Sequence, residues 1–557
     1  MHRSKLSIHL VLAAFVIMAP HQSIVSSAAE SAIIYSFDRT AASTIHDRDP
    51  GYKPTYLVYA DTERTEEEAK KLVERIGLLE HLEEYKTRVY VISPINGREY
   101  EAVTDLTEYQ NFLRSHRSSN LKIIAVGAGA TFVNNVIAKH AFSAAGILVY
   151  GGTINRGSTS TMPVPAYIHG SNQAVARQYL QANGATTKSE SMNWTVYTNP
   201  ARGKELQRVV VSKRTDASET VAQAFQNAWK TVFNRNYRLY MTLIESYAPG
   251  FDPNNYTDPW ELEPYVMYDE LGMRCEAVTE ELPGFGLTLR YEYVPTQTLA
   301  AAPKTVPLVV MLHGNTNDSR VQGESSGWPE VAARNDIILT SIEWQGRTST
   351  EKIVFPQIGE AGTMAVLGRV LQKYPQIDPT RVYLTGLSAG AMNSFTYGLN
   401  NISRIAAVAG ASAPFGPSAL LEAANTLKGR GKYLPMYSIA GTHDMYKPLP
   451  VNATQRSFYT VIRAFAIAND ITVPESPDLA VNELFGLKLE GEHWGELGGT
   501  RALIGTLSND QVALMKLVAL DPYGHWNFKP AAADMWAFLS QFRRDLSTGK
   551  LKGVPAP

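Results

Sequence analysis

Two stretches of this 557-residue chain read Gly-x-Ser-x-Gly, and only one has surroundings in which a serine could attack a carbonyl. Gly386-Leu-Ser388-Ala-Gly390 follows the apolar run Val382-Tyr-Leu-Thr385 and precedes a helix-compatible stretch to about Asn400. Strand, tight turn and helix in that order hold a hydroxyl clear of a sheet, at a helix N-terminus whose dipole favours developing negative charge. In so sharp a turn a Cβ at Gly386 or Gly390 would collide with neighbouring backbone. The pattern alone is weak, since ordinary glycine and serine frequencies give ~0.2 chance matches in a chain this long. The second match, Gly323-Glu-Ser325-Ser-Gly327, has no strand before it and Trp328-Pro329 where a helix would start. It reads as a polar loop.

A serine hydroxyl attacks poorly until a base takes its proton, and the base is usually a histidine held in one tautomer by a carboxylate. Where the nucleophile sits on such an elbow, acid and then histidine follow it along the chain. After Ser388 the histidines are His443, His493 and His525. His525, in Gly524-His-Trp526, lies between the last apolar strand pattern and the last helix pattern, where the base is needed; His493, also before a tryptophan, is the alternative. Asp444 ends Ala440-Gly-Thr-His-Asp444 after a late strand pattern, and is preferred to Asp470 and Asp478, which read as a helix end or a turn. Charge on the attacked oxygen needs fixed N–H donors. The backbones of Ala389, just after the serine, and of Asn315, after His313-Gly314 at the end of Leu308-Val-Val-Met-Leu312, are placed for that. With no His-x-x-x-His pair and no cysteine cluster, neither a metal nor another cofactor is expected.

These residues need a sheet to carry them. From 307 to 546 strand and helix patterns alternate: Leu308–Leu312, Asp336–Trp344, an amphipathic helix Gly359–Tyr374, the elbow strand, Ile405–Ala409, Pro435–Ala440 and Gln511–Leu520. Pro530 opens a closing helix, where its missing N–H costs nothing. Residues 33 to about 245 alternate likewise, through Tyr56–Tyr59, Glu66–Leu79, Arg88–Ile92, Leu121–Val126, Ile147–Tyr150, Ala166–Ile168 and Arg208–Val211. Strands alternating with helices imply a mostly parallel sheet in each half. Four prolines and Asn254-Asn255 between 249 and 264 suit a linker. The expected division is a signal peptide at 1–29, an α/β domain at 30–248, the linker at 249–264 and a second α/β domain at 265–557.

Composition narrows the class. At 557 residues two or three domains are expected, and 44% hydrophobic with 19% charged residues is ample for globular cores. A formal net charge of −1 gives no pull toward nucleic acid or an anionic membrane. His2-Arg3 and Lys5, the apolar run Leu6–Ala19 and the small residues Ser26–Ala29 read as a cleavable export signal. The expected product is secreted, or periplasmic in a Gram-negative source, and leaves the membrane once the signal is cleaved. Cys275 is the sole cysteine, so no intrachain disulfide can form.

Pro307-Leu-Val-Val-Met-Leu-His-Gly-Asn315, Ile377-Asp-Pro-Thr-Arg-Val-Tyr-Leu-Thr-Gly-Leu-Ser-Ala-Gly-Ala-Met392, Ala440–Asp444 and Gly524–Trp526 together resemble the extracellular polyhydroxybutyrate depolymerase-like esterases over about residues 280–545. The resemblance implies an α/β-hydrolase fold in the C-terminal half and a Ser388/Asp444/His525 triad. It further implies oxyanion donors at Asn315 and Ala389, supported by His313, Gly314, Gly386 and Gly390. It implies hydrolysis of a polyhydroxyalkanoate-type, feruloyl or acetyl ester, polymeric or oligomeric. A serine peptidase of the same fold and a binding protein that lost activity are the other classes. The N-terminal half aligns as a degenerate copy, with Gly127 over Gly386, Gly129 over Ser388, Asn172 near Asp444 and Ser218 where His525 stands. Such a copy could not transfer an acyl group.

Overall fold

The computed structural model describes residues 32–39, 54–238 and 262–552, apart from 86, 117–119, 156–161, 170–172, 202–205, 215–217, 316, 349–352, 455–456 and 511. The expected signal at 1–29 and most of the expected linker lie outside the described residues. The last three linker residues, 262–264, form a strand.

In the N-terminal half the strands are β1 (Ile33–Asp38), β2 (Thr55–Tyr59), β3 (Arg88–Ile92), β4 (Leu121–Val126), β5 (Ala144–Tyr150), β6 (Ala166–His169), β7 (Thr187–Glu190), β8 (Trp194–Thr198) and β9 (Arg208–Ser212). They form one sheet in the order β1-β3-β2-β4-β5-β6-β9-β8-β7. The middle is parallel, as the near-continuous apolar strands anticipate: every residue of β2 and β4 is buried, because helices cover both faces. The first helix ends at Ile76 rather than running on to Leu79, because Gly77 turns left-handed at φ 76° and a second helix, Leu78–Tyr85, starts afresh.

A short ribbon joins the halves, β10 (Asn236–Arg238) pairing antiparallel with β11 (Leu262–Pro264). The second sheet follows: β12 (Met273–Leu282), β13 (Gly286–Pro295), β14 (Val306–Leu312), β15 (Ile338–Ile342), then a two-residue pairing of β16 (Arg347–Thr348) with β17 (Val354–Phe355), β18 (Ile377–Leu387), β19 (Ala407–Ala411), β20 (Met436–Gly441), β21 (Glu490–Leu497), β22 (Thr500–Asn509) and β23 (Val512–Asp521). Its order is β12-β13-β15-β14-β18-β19-β20-β23-β22-β21. Two apolar clusters lie on its two faces, one around Phe395, Phe465 and Leu384, the other around Trp328, Tyr383 and Trp536.

Set the extra edge strand β12 aside and the two sheets agree strand for strand. An antiparallel edge (β1, β13) leads into six parallel strands, and an antiparallel hairpin (β7–β8, β21–β22) closes the far side. The expected register between the halves is off by two. The elbow is set by the first residue after the strand, which takes a positive φ: 54° at Ser388 and 53° at Gly127. Gly127 therefore stands where Ser388 does, and Gly129 stands where Gly390 does. A Cβ at Gly390 would sit 2.0 Å from the carbonyl oxygen of Leu312, the end of β14; one at Gly129 would sit 2.3 Å from that of Tyr59, the end of β2. Aligning Gly-x-Gly on Gly-x-Ser missed this, because the strand end and not the glycine spacing fixes the turn. Asn172 lies outside the described residues. Ser218 is exposed, while Glu219 beside it turns inward to the Tyr167 and Ser212 hydroxyls at 2.9 and 2.7 Å.

Candidate active site

Ser388 is the N-cap of the helix Ala389–Asn400, at φ 54° and ψ −117°, half-buried at the end of β18. Few non-glycine residues hold such a backbone, and the surroundings must over-determine it. They do. Ser388 N–H donates to Ala411 O at 2.9 Å, and a Cβ at Gly386 would meet the Gly390 carbonyl carbon at 2.4 Å. The helix start is thus pressed between β14 and β18, with the Ala389 N–H at its first turn.

The candidate acid and base come together. His525 Nδ1 lies 2.7 Å from Asp444 Oδ2, and both side chains are buried, at 8% and 2% exposure. Asp444 Oδ1 accepts the Tyr446 N–H at 2.8 Å. That pairing makes Nδ1 the protonated nitrogen and leaves the Nε2 lone pair available. Asp444 follows β20 and His525 follows β23, which are hydrogen-bonded neighbours. Their loops are locked by His443 N–H to Tyr523 O and Thr442 N–H to Leu520 O, both 2.9 Å, and by the Thr442 hydroxyl to Asp521 at 2.7 Å. Gly441 makes the approach possible, since a Cβ there would lie 2.0 Å from Tyr523 O. The Ser412 hydroxyl donates to Trp526 O at 3.3 Å, tying the His525 loop to the end of β19, beside Ser388.

His313 and Gly314 are buried and Asn315 is exposed. The His313 side chain serves the loop's backbone. Its Nδ1 donates to Gly314 O at 2.8 Å, its Nε2 lies 2.9 Å from Glu343 Oε1, and its own carbonyl accepts the Trp344 indole N–H at 2.9 Å. Glu343, 2% exposed, carried no signal in the sequence, where it falls within the expected strand Asp336–Trp344; the observed strand ends one residue before it. Burial works against its ionisation, yet His313, Arg347 and the Ser319 N–H hold its carboxyl below the usual range. The Asn315 side-chain oxygen accepts from Gln345.

The alternatives lie elsewhere. His493 is exposed on the edge strand β21 with Nδ1 2.8 Å from Gly491 O. Asp470 accepts the Gly429 N–H at 2.8 Å past a helix end, and Asp478 caps its own turn through Ala480 N–H at 2.9 Å. Ser325 is not in a polar loop. It ends a buried helix, Ser319–Ser325, donates to Val321 O at 2.7 Å and accepts from Asn527 Nδ2 at 2.8 Å. A second helix does start at Trp328, because proline is tolerated in a first turn. Tyr446, exposed at 55%, sets its ring 4.6 Å from that of His525 and was also unread in the sequence. Among the described residues no group of three or more His, Cys, Asp and Glu could hold a metal ion, and no helix is long and apolar enough to cross a membrane.

The C-terminal unit has the α/β-hydrolase fold, a mostly parallel sheet under helices with a strained strand–turn–helix at Ser388 after its central strand. No family model matches the chain. Poly(3-hydroxyalkanoate) depolymerase C of Paucimonas lemoignei is 30% identical over 109 residues, 18% of this chain and 25% of that protein, so the chain matches about a quarter of that relative's length. Among solved structures, an S-formylglutathione hydrolase from Agrobacterium tumefaciens is similar at a TM-score of 0.34 and 12% identity, over 49% of this chain and 96% of that one. A ferulic acid esterase is similar at 0.34 and 12%, over 49% and 98%. The feruloyl esterase module from Clostridium thermocellum, complexed with sinapinate, is similar at 0.31 and 12%, over 48% and 89%.

Proposed function

We propose that the protein is an exported serine carboxylic ester hydrolase acting through an acyl-enzyme. The observation that carries this reading is the 2.7 Å pair of His525 and Asp444, in adjacent loops at the sheet end that carries the strained Ser388. In the first half-reaction the Ser388 Oγ attacks the ester carbonyl carbon as His525 Nε2 takes its proton. The Ala389 and Asn315 N–H groups hold the carbonyl oxygen while it is negative. Asp444 keeps the imidazolium oriented. The C–O bond then breaks, and the departing alkoxide takes the proton from Nε2 and leaves as alcohol. Water enters, loses a proton to His525 and attacks the acyl carbon; collapse returns the proton to Ser388 and frees the acid.

The depolymerase stretch supports a hydroxyalkanoate-type ester as the substrate class, with feruloyl and acetyl esters as the related alternatives. The decisive experiment measures p-nitrophenyl butyrate and an aminoacyl p-nitroanilide side by side, with fluorophosphonate labelling of the serine. Ester turnover lost in Ser388→Ala, and cut on the order of 10³-fold or more in His525→Ala but little in His493→Ala, is expected. Faster turnover of the anilide would replace the esterase by a peptidase, and an active Ser388→Ala would end the proposal.

The N-terminal unit we read as a silent copy of the same architecture. Gly127 stands at the nucleophile position, and the Asp61 carboxylate fills the space above it. Asp61 Oδ1 accepts the N–H of Ala128, the counterpart of Ala389, at 2.8 Å. A Cβ at Gly127 would lie 2.3 Å from that carboxylate, so neither nucleophile nor substrate oxygen has room there.

A further inference from the structure

We propose that Tyr237, on the ribbon strand nearer the N-terminal sheet, is a positioning residue for His525; this rests on reading His525 as the general base. The loop after β23 is gripped from three sides. The acid loop holds Tyr523 O, as described above. The helix Ser319–Ser325 holds Asn527, whose Nδ2 donates to Ser325 Oγ at 2.8 Å and Gln322 Oε1 at 3.3 Å. The third grip comes from outside the hydrolase sheet. Tyr237 and Tyr265, 3% and 7% exposed with ring centroids 5.4 Å apart, form a small cluster with Val321. Trp526, the residue after His525, packs against that cluster, and the Lys529 ammonium lies 5.7 Å from the Tyr237 ring centroid.

The cluster is in turn fastened to the N-terminal sheet. Lys122, wholly buried in β4, donates to Asn236 O at 2.6 Å, beside Tyr237. Asn120, also wholly buried just before β4, donates to the Tyr265 hydroxyl, and Tyr265 N–H donates to Arg235 O at 3.2 Å. Burying a lysine in a central strand is costly unless its ammonium has partners, and here the nearest is the ribbon's Asn236 carbonyl, with Asn236 Oδ1 and Ala145 O each at 3.4 Å. A continuous packed path therefore runs from β4 through Tyr237 to the residue next to His525. The silent N-terminal unit supplies one wall of the active one.

The test compares kcat and KM on p-nitrophenyl butyrate for Tyr237→Ala, Tyr237→Phe and Lys529→Met in the full chain, with Ser388→Ala alongside. Removing the ring lets the base loop move by a fraction of an ångström to an ångström, and misplacement on that scale costs up to ~10²-fold in rate. Tyr237→Ala is expected to lower kcat at least about tenfold with KM within about twofold, and Tyr237→Phe to restore it. Lys529→Met keeps the stem against the ring and removes the ammonium, giving a smaller fall in kcat and a readout if Tyr237→Ala does not fold. Unchanged kcat in Tyr237→Ala, or in Lys529→Met where Tyr237→Ala does not fold, with only a lower thermal midpoint, would overturn the proposal and leave the hydrolase reading standing. Wild-type turnover in Ser388→Ala would overturn both.

Discussion

Gly441→Ala tests how finely the Asp444 and His525 loops are fitted for the proposed reaction. The added Cβ would sit 2.0 Å from Tyr523 O, 2.4 Å from Tyr523 C and 2.9 Å from Gly524 O. All three are backbone atoms, so no side-chain rotation relieves the clash. Restoring an ordinary contact of roughly 3.5 Å requires the loops to part by about 1–1.5 Å. Asp444 lies three residues beyond Gly441, and His525 two beyond Tyr523. A further ångström stretches their 2.7 Å contact past the range of a hydrogen bond. Displacement alone costs ~10²-fold, and a histidine without its carboxylate up to ~10⁴-fold, so kcat should fall by 10² to 10⁴, or about 3–5 kcal/mol in the barrier. The assay is kcat on p-nitrophenyl butyrate together with the rate of fluorophosphonate labelling. Gly368→Ala is the control, since it lies within the helix Gly359–Lys373 with open space around it and should if anything stabilise. A Gly441→Ala enzyme within about threefold of wild type in kcat would refute the reasoning.

Three other substitutions read different parts of the molecule. Ser325→Ala removes a buried hydroxyl that serves Val321 O and Asn527 Nδ2; it should lower the urea-derived stability by about 1–2 kcal/mol, while fluorophosphonate still labels Ser388. Gly127→Ala combines a positive φ with a Cβ against Asp61, and its thermal midpoint should drop; Asp61→Ala in the same chain should recover part of the loss, and no recovery would mean that the carboxylate does not fill the cradle. Buried His81, whose Nε2 faces the Tyr56 hydroxyl at 2.7 Å, has its pKa lowered by burial from 6.5 to about 4. Between those values the unfolded chain binds a proton that the folded chain does not. Stability is thus full above about pH 6.5 and falls by up to about 3 kcal/mol toward pH 4, and His81→Leu should flatten that slope in urea midpoints measured across the window.

The parts legible in the amino-acid order were those carried by local rules. The central strand Leu121–Val126 stood at its observed bounds, because a parallel strand buried on both faces is a near-continuous apolar run, broken here by Lys122 alone. The elbow at Ser388 was legible because strand, Gly-x-Ser-x-Gly and helix follow one another along the chain, even though Gly390 answers to the distant Leu312 carbonyl. The hairpin β21–β22 was not: β21 is Glu490-Gly-Glu-His-Trp-Gly-Glu-Leu497, an exposed edge whose charges look like a loop. Ser325 looked like a loop residue because its burial depends on Asn527, some two hundred positions downstream. Glu343 under His313 and Tyr237 behind Trp526 had no local signature at all, and Gly441 stood in the Ala440–Asp444 stretch with nothing to show its approach to Tyr523. The correspondence of Gly127 with Ser388 also needed the sheets, since a positive φ is visible only where the strand ends. Periodicity and turn chemistry are written in neighbouring residues, and they specified the elements. The company each side chain keeps comes from loops that neighbouring strands bring together, and only the packed sheets decided it.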